Sequence, residues 1–342
     1  MYTWNKGTEH NYLKHNCVSK FAILSVCISK MSSSKGKPNT PSSIVLQRPL
    51  GSGAFGRVYE GSFTDPRDGT TYEKVAIKYI NLRDFPPAII KAHRQETQLS
   101  QSIESDAITK EIAEVDNGDD LFIIMERLYD DITALQEDIE QARHEGEWDE
   151  VAEKMIKHTI HLANGLRDIH AACILHRDIK PENILMDKKT RMYKYCDFGM
   201  SCFYQSCEGV VGTPSYMEPA CYFANKFGKT PLVVRNQQLP CNITEWSDVF
   251  SLGMTLYEIL TGKKLLEDVH SANAYYESFD DAIQTLDQYS RRGGDMKRYV
   301  TCLKRMIDLD PSQRPSPKQI TLYLSGHDKA FETSRKYIYC PK

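Results

Sequence analysis

His176-Arg177-Asp178-Ile179-Lys180-Pro181-Glu182-Asn183, with Asp197-Phe198-Gly199 downstream, is the stretch on which the reading of this chain turns. Acids, bases and an amide crowd together there, in a chain whose overall charge is nearly balanced. The 342 residues carry 46 acidic and 43 basic side chains, a net charge of −3, with a pI near 6.4. Such a balance argues against a whole-protein electrostatic grip on nucleic acid, which wants a strong basic excess. It leaves room for a cleft in which a few charges are concentrated. Hydrophobic residues make up 41% of the chain, enough for a sizeable core. The mean hydropathy is −0.49, and no stretch approaches the ~18 apolar residues of a membrane span.

Upstream of that stretch lies Val75-Ala76-Ile77-Lys78, a lysine at the end of an apolar run. A lysine is costly to bury unless anions pair with it. Glu96, on a helix predicted over Pro87–Ile103, is one candidate partner, and phosphate oxygens are another. Further upstream, Gly51-Ser52-Gly53-Ala54-Phe55-Gly56-Arg57-Val58 is glycine-rich. A helix after such a run would suggest a dinucleotide-binding turn. Val58-Tyr59-Glu60-Gly61 reads instead as a strand, so the run is expected to be a hairpin whose backbone can approach phosphate closely.

The surrounding pattern divides the chain. Short β-branched runs at Ser43–Leu50, Val58–Phe63, Lys74–Asn81, Ala107–Val115 and Leu121–Met125 predict strands, the last two joined at Asn117-Gly118. Beyond Asp130 the periodicity turns helical. Met155, Thr159, Leu162, Leu166 and Ile169 mark one face of a long helix. A β-rich part followed by a helix-rich part predicts an α+β molecule of two lobes with a cleft between them. Residues 1–43 read as an N-terminal extension, with Met31 as an alternative start and a Ser-rich linker after it. Ten cysteines are spread without C-x-x-C spacing, so neither a zinc site nor a disulfide framework is expected, and reduced thiols are.

In order along the chain, the glycine run, V-A-I-K, H-R-D-x-x-x-x-N and D-F-G resemble the signature set of the eukaryotic-type serine/threonine protein kinase family. Gly212-Thr213-Pro214-Ser215-Tyr216-Met217, Asp248-Val249-Phe250-Ser251-Leu252-Gly253 and Asp310-Pro311-Ser312-Gln313-Arg314-Pro315 extend the likeness over residues 44–325. The resemblance implies a bilobed kinase-like fold, with an N-lobe at 44–127, a C-lobe at 128–325, an insertion near 222–243 and a tail at 326–342. It implies transfer of the ATP γ-phosphate to Ser/Thr hydroxyls of protein substrates, with Mg²⁺ (or Mn²⁺) as the metal. Asp178 would be the base, a group worth about 10²–10⁴ in rate. Lys180 would lie near the transferring phosphate, and Thr213 would shape the site for a Ser or Thr acceptor. Lys78 would hold the α/β-phosphates and be oriented by Glu96, and Asp197 and Asn183 would hold metal. Leu50, Gly51, Ser52, Gly53, Ala54, Phe55 and Gly56 would cover the nucleotide. Val58, Ala76 and Leu185 would wall the adenine pocket, with Met125 behind it and Glu126 to Leu128 along its edge. Protein substrates are the implied partners, without nucleic acid or membrane, for a monomer in the cytoplasm or nucleus. The alternative is a catalytically weak scaffold of the same fold.

Two departures from the family pattern, and one residue that keeps it, carry expectations of their own. Glu218-Pro219-Ala220 replaces A-P-E, so either Glu218 reaches Arg314 or Arg314 finds another partner. Ser100 stands where an apolar residue is usual, with Leu99 as a substitute. Arg177 calls for negative charge in the activation segment, and Glu208 is the fixed acid available there among Ser201, Tyr204 and Ser206.

Overall fold

The computed structural model describes residues 40–333, except 54, 55, 208, 229, 230, 267 and 268. The readings placed on the N-terminal extension, the final residues, Ala54, Phe55 and Glu208 therefore lie outside the described residues.

Five antiparallel strands form the first lobe in the order β1-β2-β3-β5-β4: β1 Ile44–Gly53, β2 Gly56–Thr64, β3 Thr71–Asn81, β4 Glu111–Asp116 and β5 Asp120–Met125. Period-two alternation explains the two faces. Val75, Ile77 and Tyr79 of β3 join Phe122 and Ile124 of β5 in one apolar cluster. Ile80 joins Leu121 and Ile123 in another, together with Ile90 of helix α1 (Pro87–Gln101). Lys78 shares the parity of Ile80 and so turns toward α1. The strand predicted from Ala107 begins only at Glu111. Before it, Ile108 bridges to Tyr195 and the Thr109 amide donates to the Tyr195 carbonyl, tying this segment to the second lobe.

The second lobe is helical. Helix α2 (Ala134–Glu145) leads to α3 (Trp148–Ala171), in which Met155, Thr159, Leu162, Leu166 and Ile169 are all fully buried. After the short α4 (Pro219–Lys226), α5 (Glu245–Thr261) is buried along its whole length, as expected of a helix surrounded by others. It begins with a Thr244/Ser247 capping box and ends at Gly262 in the left-handed conformation. Helices α6 (Ala272–Ser290), α7 (Gly294–Met306) and α8 (Pro317–Leu324) complete the core. Short strands β6 (Ile174–Leu175), β7 (Ile184–Asp187), β8 (Met192–Tyr195) and β9 (Cys202–Phe203) line the side facing the first lobe, β6 pairing with β9 and β7 with β8.

Two expectations are corrected. Residues 222–243, read as a loop, contain the end of α4 and a hairpin of β10 (Leu232–Val234) and β11 (Gln237–Leu239), with Arg235 and Asn236 at positive φ in its turn. Leu232 and Val234 are buried in the main core, and Arg235 pairs with Asp308 and Asp310, so tertiary packing supports strands too short to signal themselves. The cysteines are not uniformly reduced. Cys221 is joined to Cys241 and Cys202 to Cys207, while Cys196 and Cys302 are free and buried. Folding brings these residues together at Cα separations of 4.4 and 5.3 Å, which sequence spacing cannot show.

Arg314 is fully buried and grips Glu218 with both guanidinium nitrogens, at 2.5 and 3.1 Å, while also donating to the Trp246 carbonyl at 2.9 Å. The exchange of Glu and Ala within 218–220 thus keeps the ion pair. Breaking one side of a buried pair typically costs about 3–5 kcal/mol. Glu218→Ala is expected to lose that much unfolding free energy in urea denaturation. Replacing Cys221 and Cys241 by Ser is expected to cost about 2–4 kcal/mol. Peptide mapping without reductant should recover the Cys221–Cys241 linkage.

Candidate active site

Three charged groups meet between the lobes. Lys78, carried by β3 and nearly buried, donates to both carboxylate oxygens of Glu96, at 2.7 and 2.8 Å, and to Oδ1 of Asp197 at 2.8 Å. Its three N–H donors are thereby all taken. Burial alone would lower the Lys78 pKa, but Asp197 and Glu96 outweigh it and hold the ammonium form well past its ordinary range. Burial would likewise raise Asp197, and Lys78 overrides it, holding Asp197 firmly ionised. Asp197 adopts a left-handed backbone (φ 63°) and keeps a third of its side chain exposed. Such a conformation in a non-glycine residue persists only where its surroundings enforce it.

A second node forms around Asp178, which is 6% exposed. Oδ1 accepts from the Thr213 amide at 2.9 Å and hydroxyl at 2.7 Å, and Oδ2 accepts from Lys180 at 2.9 Å and the Asn183 amide nitrogen at 3.1 Å. Lys180 also donates to the Thr213 hydroxyl at 2.9 Å. One carboxylate, one ammonium and one hydroxyl are thus fixed together where the 178–183 loop meets the 212–216 segment.

Beneath this node lies Asp248 of α5, buried to 1%. It accepts from the His176 and Arg177 amides, each at 2.9 Å, and pairs with His170 Nε2 at 3.0 Å. Burial would raise its pKa, but the His170 bond, the nearby His176 and the Arg177 amide outweigh that and hold Asp248 below the usual carboxylate range. Gly212 (φ 119°) passes so close that a Cβ there would lie 2.4 Å from the Arg177 carbonyl, so only glycine fits.

The other expected residues are placed as follows. Val58 pairs with Lys78 across β2 and β3, and Ala76 with Met125 across β3 and β5, which sets those side chains above the cleft. Leu50, Gly51 and Ser52 lie in β1 and Gly53 and Gly56 flank its turn, a Cβ on Gly56 meeting the Tyr79 carbonyl at 2.3 Å. Glu126 bonds Lys194 and the Lys110 amide, Leu128 is buried, and Leu185 is half-buried in β7. Arg177 donates to the Met200 carbonyl at 2.6 Å, and burial pushes its pKa down to about 10. Ser201 is buried and bonded to the His176 carbonyl, so of the hydroxyls proposed as phosphate carriers it is the one sealed from solvent. Tyr204 and Ser206 lie inside the Cys202–Cys207 ring.

Sequence reasoning missed Glu111. It opens β4 opposite Met125, its Oε2 shut away from solvent. Parity alone would have misplaced it, because the register shift between Glu111 and Ala113 turns Glu111 to the Met125 face, toward α1, while Ala113 and Val115 pack on the other face. Leu99, expected to substitute for Ser100, packs into the main core, while Ser100 stays buried on α1.

Residues 44–323 match the protein kinase domain, and the chain belongs to that family. Relatives include a serine/threonine-protein kinase, dkf-2, of Caenorhabditis briggsae, 29% identical over 64% of this chain and 16% of its own length. The mouse hormonally up-regulated neu tumor-associated kinase is 27% identical over 81% of this chain and 35% of its own. The serine/threonine-protein kinase pkn2 of Myxococcus xanthus is 28% identical over 80% and 32% respectively. The chain thus spans between a sixth and about a third of these relatives. No helix among the described residues is long and apolar enough to cross a membrane.

Proposed function

We propose that the chain is an active serine/threonine protein kinase that transfers the ATP γ-phosphate to a Ser or Thr hydroxyl of a protein. The observation that carries this reading is the closed Lys78–Glu96–Asp197 contact, standing beside the Asp178–Lys180–Thr213 node. Phosphoryl transfer asks for positioned charge more than covalent chemistry, and these two groups supply it.

The donor set fits a nucleotide with Mg²⁺. Asp197 spends Oδ1 on Lys78 and keeps its exposed portion toward the cleft. Asn183 spends its amide nitrogen on Asp178, which leaves its amide oxygen for another partner. Few protein oxygens, completed by phosphate oxygens, are what Mg²⁺ ordinarily takes. When bound, the metal would neutralise charge building on the phosphates. Lys78 would exchange its Asp197 bond for the α/β-phosphates while keeping Glu96, and the hairpin from Leu50 to Val58 would close over them. Ala76, Met125, Glu126, Leu128 and Leu185 would frame the base. Asp178, held in one orientation by Thr213 and Asn183, would accept the proton of the acceptor hydroxyl. Lys180 would offset the charge developing beside it.

A radiolabelled-ATP assay with a generic Ser/Thr protein tests this. Lys78→Met and Asp178→Asn are each expected to reduce transfer by at least about 10²-fold, in keeping with loss of a charge-positioning or general-base group. A folded wild-type protein that transfers no phosphate with either Mg²⁺ or Mn²⁺ would overturn the reading in favour of a scaffold acting through protein contacts.

A further inference from the structure

Helix α1 presents Glu96 to Lys78, yet it meets β4 through polar groups. Ser100, one turn beyond Glu96, is buried, and its hydroxyl bonds the Thr97 carbonyl at 3.2 Å. The Thr97 hydroxyl is buried beside it. Facing these hydroxyls is the Glu111 carboxyl, its Oε2 shut away from solvent, with the two neutral hydroxyls as the donors it meets. Apolar side chains would be the neutral filling for such a contact. An ionised carboxylate left there without a counter-charge is costly, whereas the neutral acid costs far less.

The groups around Glu111 offer it no cation of its own. From α1 come Glu96 and, one turn earlier, His93, whose Nδ1 stands 3.6 Å from Glu96 Oε2. Arg94 of the same helix is paired with Asp116. From β3 comes Lys78, whose three donors are spent on Glu96 and Asp197. β4 adds Glu114, itself raised by burial, and β5 presents Met125 opposite. The carboxyl therefore sits among two acids, Glu96 and Glu114, and a lysine already committed.

We propose that Glu111 is a positioning residue for α1: as the neutral acid it lets the helix seat against β4 with Lys78–Glu96 closed, and once ionised it repels Glu96 and loosens that seat. The role rests on the kinase reading only in that the pair it governs is the one assigned to the nucleotide. Burial, then the Glu96 charge, push the Glu111 carboxyl up to about 7, against the smaller opposing pull of hydrogen bonds from Thr97 and Ser100 and of the Lys78 charge. The folded protein thus holds a proton that the unfolded chain, with an ordinary value of 4.5, has released. Between those two values the native state binds more protons, so stability falls as pH rises through that window. From pH 6 to pH 8 the neutral form falls about tenfold.

The test uses the full chain as wild type, Glu111→Gln and Glu111→Leu. The Gln variant keeps a neutral polar group, and the Leu variant supplies apolar packing should Gln fail to fold. Hydrogen exchange of the α1 amides, corrected for the intrinsic pH dependence, should show wild-type protection falling severalfold between pH 6 and 8, with either variant flat. The wild-type melting temperature should drop over pH 5 to 7 relative to the variants, and its KM for ATP should rise severalfold from pH 6 to 8 while theirs does not. The same pH slopes of protection and melting in wild type and variants would overturn the proposal. Absence of phosphotransfer in all three proteins would count against the kinase reading, and the exchange and melting results would still decide the role of Glu111.

Discussion

One buried carboxylate organises the loop that carries Asp178. Asp248 sits on a helix with no exposed face and takes the amides of His176 and Arg177 in place of water. A buried acid is tolerable only when such donors surround it. The result is a backbone that leaves the core at a fixed angle, Arg177 in the left-handed region at φ 65° and Asp178 next to it. The placement of Asp178 is therefore decided mainly by α5, seventy residues further along the chain. Gly212, which grazes the Arg177 carbonyl, brings Thr213 to Asp178 by the same contact. The loop and the activation segment are two walls erected on one helix.

The lobes are joined by charge. Lys78 belongs to the sheet, Glu96 to α1 and Asp197 to the second lobe, and a single ammonium bonds both acids. Because this contact is buried and pairs one cation with two anions, it is sensitive to any further charge nearby. The sheet supplies such a charge in Glu111, and this makes the polar α1–β4 contact consequential where an apolar one would be inert. The position of α1 and the ionisation of the cleft are then coupled.

What the sequence made legible follows from range. The strands of the first lobe show their period-two pattern within ten residues, and the long α3 shows its face over a few turns, so both could be read directly. The roles proposed for Lys78, Asp178 and Asp197 rest on resemblance, because spacing alone does not say that residues 78 and 197 will touch. Glu111 was hidden by its position at the start of a strand with a register shift, where the direction of a side chain depends on the pairing. The Cys221–Cys241 linkage and the β10–β11 hairpin were hidden for a related reason. Each is stable only against a surface contributed by distant segments, among them α6, whose Tyr276 hydroxyl bonds the Val233 backbone.

The Glu218–Arg314 pair shows what a buried ion pair requires. The guanidinium is fixed by the Asp308 and Trp246 carbonyls and stacks 4.7 Å from the Phe250 ring, so its position does not depend on its acid partner. Glutamate is long enough to reach such a fixed target from a neighbouring backbone position, and the two parallel bonds restore the geometry a carboxylate prefers. Ala220, freed of that duty, is buried in the main core at the start of α4, one residue before the disulfide-bonded Cys221. The segment that would receive a protein substrate is thus held by an ion pair on one side and a covalent link on the other. Its rigidity rests on those two anchors, and the order of residues in a motif matters less than whether a carboxylate reaches Arg314.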